Sequence, residues 1–280
     1  MTGRLAGCIN ERMKADGTDR YFELADMLRE GRRLAVRDDQ HDFESFLDAA
    51  RVARGNLSVI DTGKFGLNEL ELLLKLGTNL YLAEEVRTDR DEFELFFRAA
   101  KKSGAFLAMF VNKRLASMKQ DGGPDLDGLL YLAESGVDIH VSDAGQVHDF
   151  AILERLASAC RRGRGYFVFH YYGELVEDLL PLAGKRIWLH FTDRSIDSEE
   201  AAGLAWLTAR TCRQAGSRAV IHITRGLSLD LLKRLFGAGA HLNFLTPPSE
   251  PDSVQGKLEE RAGRRKIPAR AYYLTLSFMP

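Results

Sequence analysis

Four histidines sit in one kind of setting. Ile139-His140-Val141-Ser142-Asp143, Leu189-His190-Phe191-Thr192-Asp193 and Ile221-His222-Ile223-Thr224-Arg225 each run apolar, His, apolar, hydroxyl, charge. Phe167-Val168-Phe169-His170-Tyr171-Tyr172 fits the same frame with an aromatic in the hydroxyl's place. Imidazole is the side chain whose charge changes nearest neutral pH, and in its neutral form it is a metal ligand. Gathered with carboxylates, it suits two chemistries. With His140, His190, His222 and Glu84 as ligands to Zn, Mn or Fe, a bound divalent ion would acidify a water into a nucleophile. Without metal, His140, His170, His190 and His222 would act as general acids and bases on a polar substrate, with Asp193 or Asp61 orienting them.

A buried His must find partners for both ring nitrogens, so a lone strand His is most simply a satisfied core residue. Four in one pattern favour function. Spacing leaves two outcomes open. The rings converge with lone pairs facing one another, or each nitrogen pairs with a carbonyl or with a hydroxyl such as Ser142, Thr192 or Thr224.

Strict alternation makes each run a β-strand, because successive side chains point to opposite faces and each His shares a face with its hydroxyl. Helical patterns separate the strands. The copies are legible side by side: Leu70 to Gly77, Leu129 to Gly136 and Leu231 to Gly239 are each an apolar helix, a capping glycine and then a strand. Four residues past Gly77, Gly136 and Gly239 stand Tyr81, His140 and Asn243, which are equivalent positions in the repeat. Alternating helix and strand units imply a parallel sheet with right-handed crossovers. About eight such strands buried on both faces predict an α/β fold, a (β/α)8 TIM-type barrel with a helical N-terminal extension and an extra C-terminal strand. No GxGxxG follows the first strand, which argues against a dinucleotide site.

The expected organisation is residues 1–54 as a helical extension packing on the barrel, 55–250 as the barrel, and 251–280 as a C-terminal helix and strand of the same domain. Leu34 to Val36 and Tyr272 to Phe278 exceed the eight strands counted from Leu57 to Leu245, and are assigned to a terminal ribbon or cover. The alternative makes Leu34 to Val36 the first barrel strand and displaces Leu242 to Leu245.

In a barrel the loops after the strands form the active face. The strand ends here read Asp61, Glu84 and Glu85, Asn112, Asp143, His170 with Glu174, Asp193, Arg225 and Asn243. Loops are polar in any fold, so no single carboxylate is decisive. The arrangement has a loose likeness to metal-dependent barrel hydrolases, but the first strand carries Val59-Ile60-Asp61 and no His-x-His pair. A more specific likeness covers only the last unit. Ile223-Thr224-Arg225-Gly226-Leu227-Ser228, followed by Leu231-Leu232 and Gly237 to Ala240, looks like the seventh strand, loop, helix and eighth strand of phosphate-binding barrels. That resemblance implies backbone amides offered to a phosphate, with Gly226 allowing close approach, Ser228 capping the helix and Arg225 adding charge. Plain capping by Ser228 is the simpler alternative. Lys64, in Thr62-Gly63-Lys64, is a second anion candidate without P-loop spacing. The expected substrate contacts are Asp61, Lys64, Arg225, Gly226, Ser228 and Asn243.

Composition excludes several classes of partner. The 280 residues are 45% hydrophobic and 28% charged, and 39 basic against 40 acidic side chains create no global field for nucleic acid or an anionic membrane. Cys8, Cys160 and Cys212 form neither a CxxC pair nor an even framework, which fits free thiols in a reducing, cytoplasmic setting. Leu5-Ala6-Gly7-Cys8 spells a lipobox, but the apolar core a signal needs does not precede it, and anchoring is not expected. Three functions follow. The first is a barrel enzyme, a hydrolase or lyase, acting on a small polar or phosphorylated molecule. The second is a non-catalytic barrel binding a small anion or metal. The third is an interaction protein whose aromatic tail, Tyr272 to Phe278, would supply a partner surface or the seam of a homodimer.

Overall fold

The structure, a computed structural model, describes residues 20–83, 86–87, 89–111, 115, 126–143, 148–245, 249–250, 252–264 and 270. Helices and strands alternate along them. The order is α1 (Arg20–Arg29), β1 (Leu34–Arg37), α2 (Phe43–Ala53), β2 (Leu57–Ile60), α3 (Leu67–Lys75), β3 (Asn79–Ala83), α4 (Arg90–Ser103) and β4 (Leu107–Val111). Then come α5 (Leu126–Ser135), β5 (Asp138–Ser142), α6 (Phe150–Gly163), β6 (Phe167–His170), α7 (Leu179–Ala183), β7 (Trp188–Thr192), α8 (Glu199–Gln214), β8 (Arg218–Ile223), α9 (Leu229–Ala238), β9 (His241–Phe244) and α10 (Val254–Gly263). Nine parallel strands lie in one sheet in chain order, β1 to β9. Every crossover moves one place in the same direction, whereas a doubly wound sheet reverses at a switch point. The fold is therefore the α/β, (β/α)8 barrel type that the repeat predicts, with one strand more than the eight counted.

The extra strand corrects one expectation. Leu34 to Val36 is no outlying ribbon: β1 pairs in parallel with β2, Leu34 against Leu57 through Arg37 against Ile60. β9 is in the sheet as well, paired with β8, so neither strand displaces the other. A ladder is made by the main chain, so charges flanking three apolar residues do not keep β1 out of the sheet.

The glycines of the repeat end their helices as expected. Gly77, Gly136 and Gly239 have φ of 86°, 103° and 111°, a left-handed backbone that costs a glycine little. Apolar residues from Leu175 to Leu182 recur at helical spacing, but the helix there is only the turn and a half of α7, which contains Pro181, although Leu175, Leu179 and Leu182 are all buried. Apolar spacing there reports burial and not helix.

The chain forms two compact units, one holding α1 to α4 and β1 to β4 as far as Phe110, the other α5 to α10 with β5 to β9. In the first, the core includes Ile60, Tyr81 and Ala108, with Ala35 and Phe106 packed on them. Tyr81, the counterpart of His140 in the repeat, thus lies in an apolar cluster. In the second unit the equivalent positions are polar. Among the described residues no helix is long and apolar enough to cross a membrane, and Cys160 and Cys212 are free and buried. Cys8 and the aromatic tail lie outside the described residues.

Candidate functional site

Alternation puts His140 and Ser142 of β5, His170 of β6, His190 and Thr192 of β7, His222 of β8 and His241 and Asn243 of β9 on one face of the second unit. The strands do not bring the histidines to one level, as a common register would. His170 stands beside His190, but His140 pairs with Val168 and His190 with Val220, each two residues short of the next histidine. Stagger between parallel strands is inherent to a tilted barrel sheet, and here it turns the expected cluster into a diagonal row. His140 Nδ1 lies 3.2 Å from His170 Nε2, and His190 Nδ1 lies 3.3 Å from His222 Nε2. The His170 and His190 rings join the two pairs, with centroids 4.8 Å apart. One end of the row is the carbonyl of Arg270, 3.1 Å from His140 Nε2; the other is Asn243 Nδ2, 3.0 Å from His222 Nδ1.

Those ends fix the protons. A carbonyl only accepts, so His140 carries its proton on Nε2 and turns the Nδ1 lone pair to His170, which donates from Nε2. Asn243 donates to His222 Nδ1, which leaves the His222 proton on Nε2, facing His190 Nδ1. These four hydrogen bonds therefore all point one way, from β9 toward Arg270. The rings are neutral: burial lowers His140 and His222 to about 4. Burial, and after it the neighbouring imidazoles, hold His170 and His190 well below the ordinary 6.5. His140, His170 and His190 are fully buried, and the row comes nearest to solvent at its upper end, where Thr192 and Asn243 are partly exposed.

The strand-end carboxylates serve a different purpose. Asp193 accepts from the amides of Thr224 (2.9 Å), Arg225 (2.7 Å) and Gly226 (3.0 Å) and from the Thr224 hydroxyl (2.6 Å). Burial opposes its ionisation, but the Thr224 hydroxyl and those amides together hold its carboxyl below the usual value. In the first unit Asp38, at the end of β1, accepts from the amides of Thr62, Lys64 and Phe65 and from the Thr62 hydroxyl. Asp143 takes the amide of Tyr172 at 2.8 Å and also that of Gly173, and burial pushes it up to about 6. The pattern repeats: the acid ending one strand ties down the loop after the next. Asp61, expected to bind substrate, is instead clamped by Arg87, Nε to Oδ2 at 2.7 Å and a terminal nitrogen to Oδ1 at 3.2 Å, and it also accepts from Gly63 N at 3.0 Å.

This pattern changes the phosphate expectation. Glycines at positive φ, Gly63 (92°) and Gly226 (97°), turn successive amides into one concavity that suits an anion. Here a carboxylate of the chain already fills it. Gly226 N is spent on Asp193, Ser228 is an ordinary cap whose Oγ accepts from Leu231 N at 3.3 Å, and Arg225 is left as an exposed side chain. Lys64, in the first unit, donates to the carbonyl of His41 at 2.9 Å. Glu84 lies outside the described residues. Among the described ones, no group of three His, Cys, Asp or Glu side chains is disposed to hold a metal ion.

Sequence reasoning missed His241, Asp38, Asp138 and Arg270. His241 was readable, since His241-Leu242-Asn243 repeats the alternation of the other strands, and it lies close enough to help lower His190 and His222. Arg270, 130 positions from His140, gives no local signal.

No protein-family model matches the chain, and no curated protein does. Among solved structures it is similar to a deoxyribose phosphate aldolase from Aeropyrum pernix, with 14% identity and a TM-score of 0.33 over 82% of this chain and 94% of that one. It is also similar to a sugar phosphate isomerase/epimerase from Parabacteroides distasonis, with 11% identity and a TM-score of 0.31 over 83% of this chain and 94% of that one.

Proposed function

We propose that the chain is a barrel enzyme that applies general acid–base chemistry to a small polar molecule, with His222 as the group that meets it. The supporting observation is the one-way row of neutral imidazoles, which leaves the Nδ1 lone pair of His222 at the partly exposed end, beside Asn243 and Thr192. A substrate hydroxyl or a water taking the place of the Asn243 amide would deliver its proton to Nδ1. His222 would then share the charge through Nε2 with His190 Nδ1, 3.3 Å away, while the carboxylate of Asp193 favours the cation. Proton abstraction of this kind opens a hydrolase or a lyase reaction. A phosphorylated substrate would meet the exposed guanidinium of Arg225 and not the loop amides, which Asp193 holds.

A non-catalytic binding barrel is the second reading, favoured by the internal pairing of the row. The two separate in one experiment. Small hydroxylated and phosphorylated compounds are screened by thermal shift, and those that bind are followed for turnover by NMR. Turnover that falls by about 10²–10⁴-fold in His222→Gln, with binding retained, supports the enzyme. Turnover unchanged in that variant would discard His222 as the base, and binding without turnover would favour the second reading. Stoichiometric zinc, manganese or iron in the purified protein would replace the metal-free mechanism with a metal-assisted one.

A further inference from the structure

Asp138, the first residue of β5, is fully buried. Its carboxylate is gripped by Arg270, Nε to Oδ2 at 2.7 Å and a terminal nitrogen to Oδ1 at 2.6 Å, and it accepts the Tyr166 amide at 2.7 Å. The guanidinium lies 4.9 Å from the centroid of the Tyr166 ring. A buried ion pair is weak evidence for stability, because desolvation offsets much of its attraction, and its best-attested use is to fix a register. The backbone of the same Arg270 supplies the acceptor for His140 Nε2.

We propose that Arg270 is a positioning residue: by locking onto Asp138 and Tyr166 it places the carbonyl that keeps the His140 proton on Nε2, and so sets the direction of the His140–His170 hydrogen bond. Without that carbonyl His140 can carry its proton on Nδ1 instead. It would then donate to His170 Nε2 and reverse the lower half of the row. The inference rests on the proposed function only for what the row is used for, since the proton order is observable with no substrate.

The test is long-range ¹H–¹⁵N NMR of the full chain labelled in its histidine rings, at neutral pH. Wild type should show His140 and His170 as single neutral Nε2–H forms. Arg270→Ala leaves a buried carboxylate without its counter-charge and can lose the fold for that reason alone. The deciding variant is therefore Asp138→Asn with Arg270→Ala, which removes both charges. With its melting temperature restored relative to the single variant, it should lose the single Nε2–H form at His140 and show a mixture of tautomers. A folded double variant that keeps only the Nε2–H form would overturn the proposal, and so would Nδ1–H at His140 in wild type. Neither result bears on whether His222→Gln loses turnover, so failure here is distinct from failure of the functional reading.

Discussion

At the scale of the residue, Asp193 shows how a side chain of catalytic type becomes structural. Four donors converge on it from a segment about 31 residues away. Removing the acceptor strands them, and Asp193→Ala should lose about 2–3 kcal/mol of unfolding free energy in urea at pH 7. The carboxyl titrates below the ordinary 3.8 in the folded chain. Its contribution is therefore complete above that value and is lost as the pH falls through the lower folded one. The gap between wild type and variant should close in strong acid, and a gap that stays constant with pH would assign the loss to packing. The same variant vacates the amide concavity, so inorganic phosphate should raise its melting temperature and leave wild type unmoved. A variant indifferent to phosphate would mean that the loop collapses without its carboxylate.

At the scale of the element, α5 and α6 of the second unit meet in a close backbone approach. Gly163, at the end of α6, leaves no room for a β-carbon, which would lie 2.1 Å from the carbonyl oxygen of Ala133 and 2.7 Å from that of Glu134. Backbone oxygens of α5 cannot rotate away as side chains do. Gly163→Ala should cost about 1–3 kcal/mol by forcing the helices apart. Faster amide exchange should appear in α5 and α6, with the His140–His170 tautomers unchanged. An unaltered exchange pattern would show that the helices adjust without cost.

At the scale of the whole molecule, burying four neutral imidazoles has a consequence for acid stability. His140 and His222 titrate at about 4 when folded against an ordinary 6.5, and His170 and His190 lie well below 6.5. The unfolded chain binds these protons first, so stability is fullest above 6.5 and falls as the pH drops toward 4. Asp138 and Asp143 act in the opposite sense. Burial lifts both to about 6 from 3.8, so each favours the folded state at low pH and withdraws that support as the pH rises through 6. Four groups outweigh two, and the melting temperature should fall between pH 7 and pH 5. A melting temperature flat or rising toward pH 5 would mean that the row accepts protons while folded, contrary to its burial.

What the sequence determined is what repeats locally. Side-chain parity along a strand has period two, so the shared face of His140, His170, His190 and His222 could be read from four short runs, and the glycines that end α3, α5 and α9 from their position in the repeat. Ser228 as a cap was equally plain. Tertiary structure decided how far one strand slides along the next, because stagger is set by how crossover helices pack and no single strand encodes it. That slide of two residues at β5–β6 and again at β7–β8 separates a diagonal hydrogen-bonded row from a converging cluster. It also decided the partners of the acids. A loop of amides after a glycine looks the same in sequence whether it awaits a phosphate or an aspartate from the preceding strand, and only the folded chain brings Asp38 and Asp193 into those concavities. Arg270 reaches His140 for the same reason: contacts between distant segments follow from packing, which carries no local period.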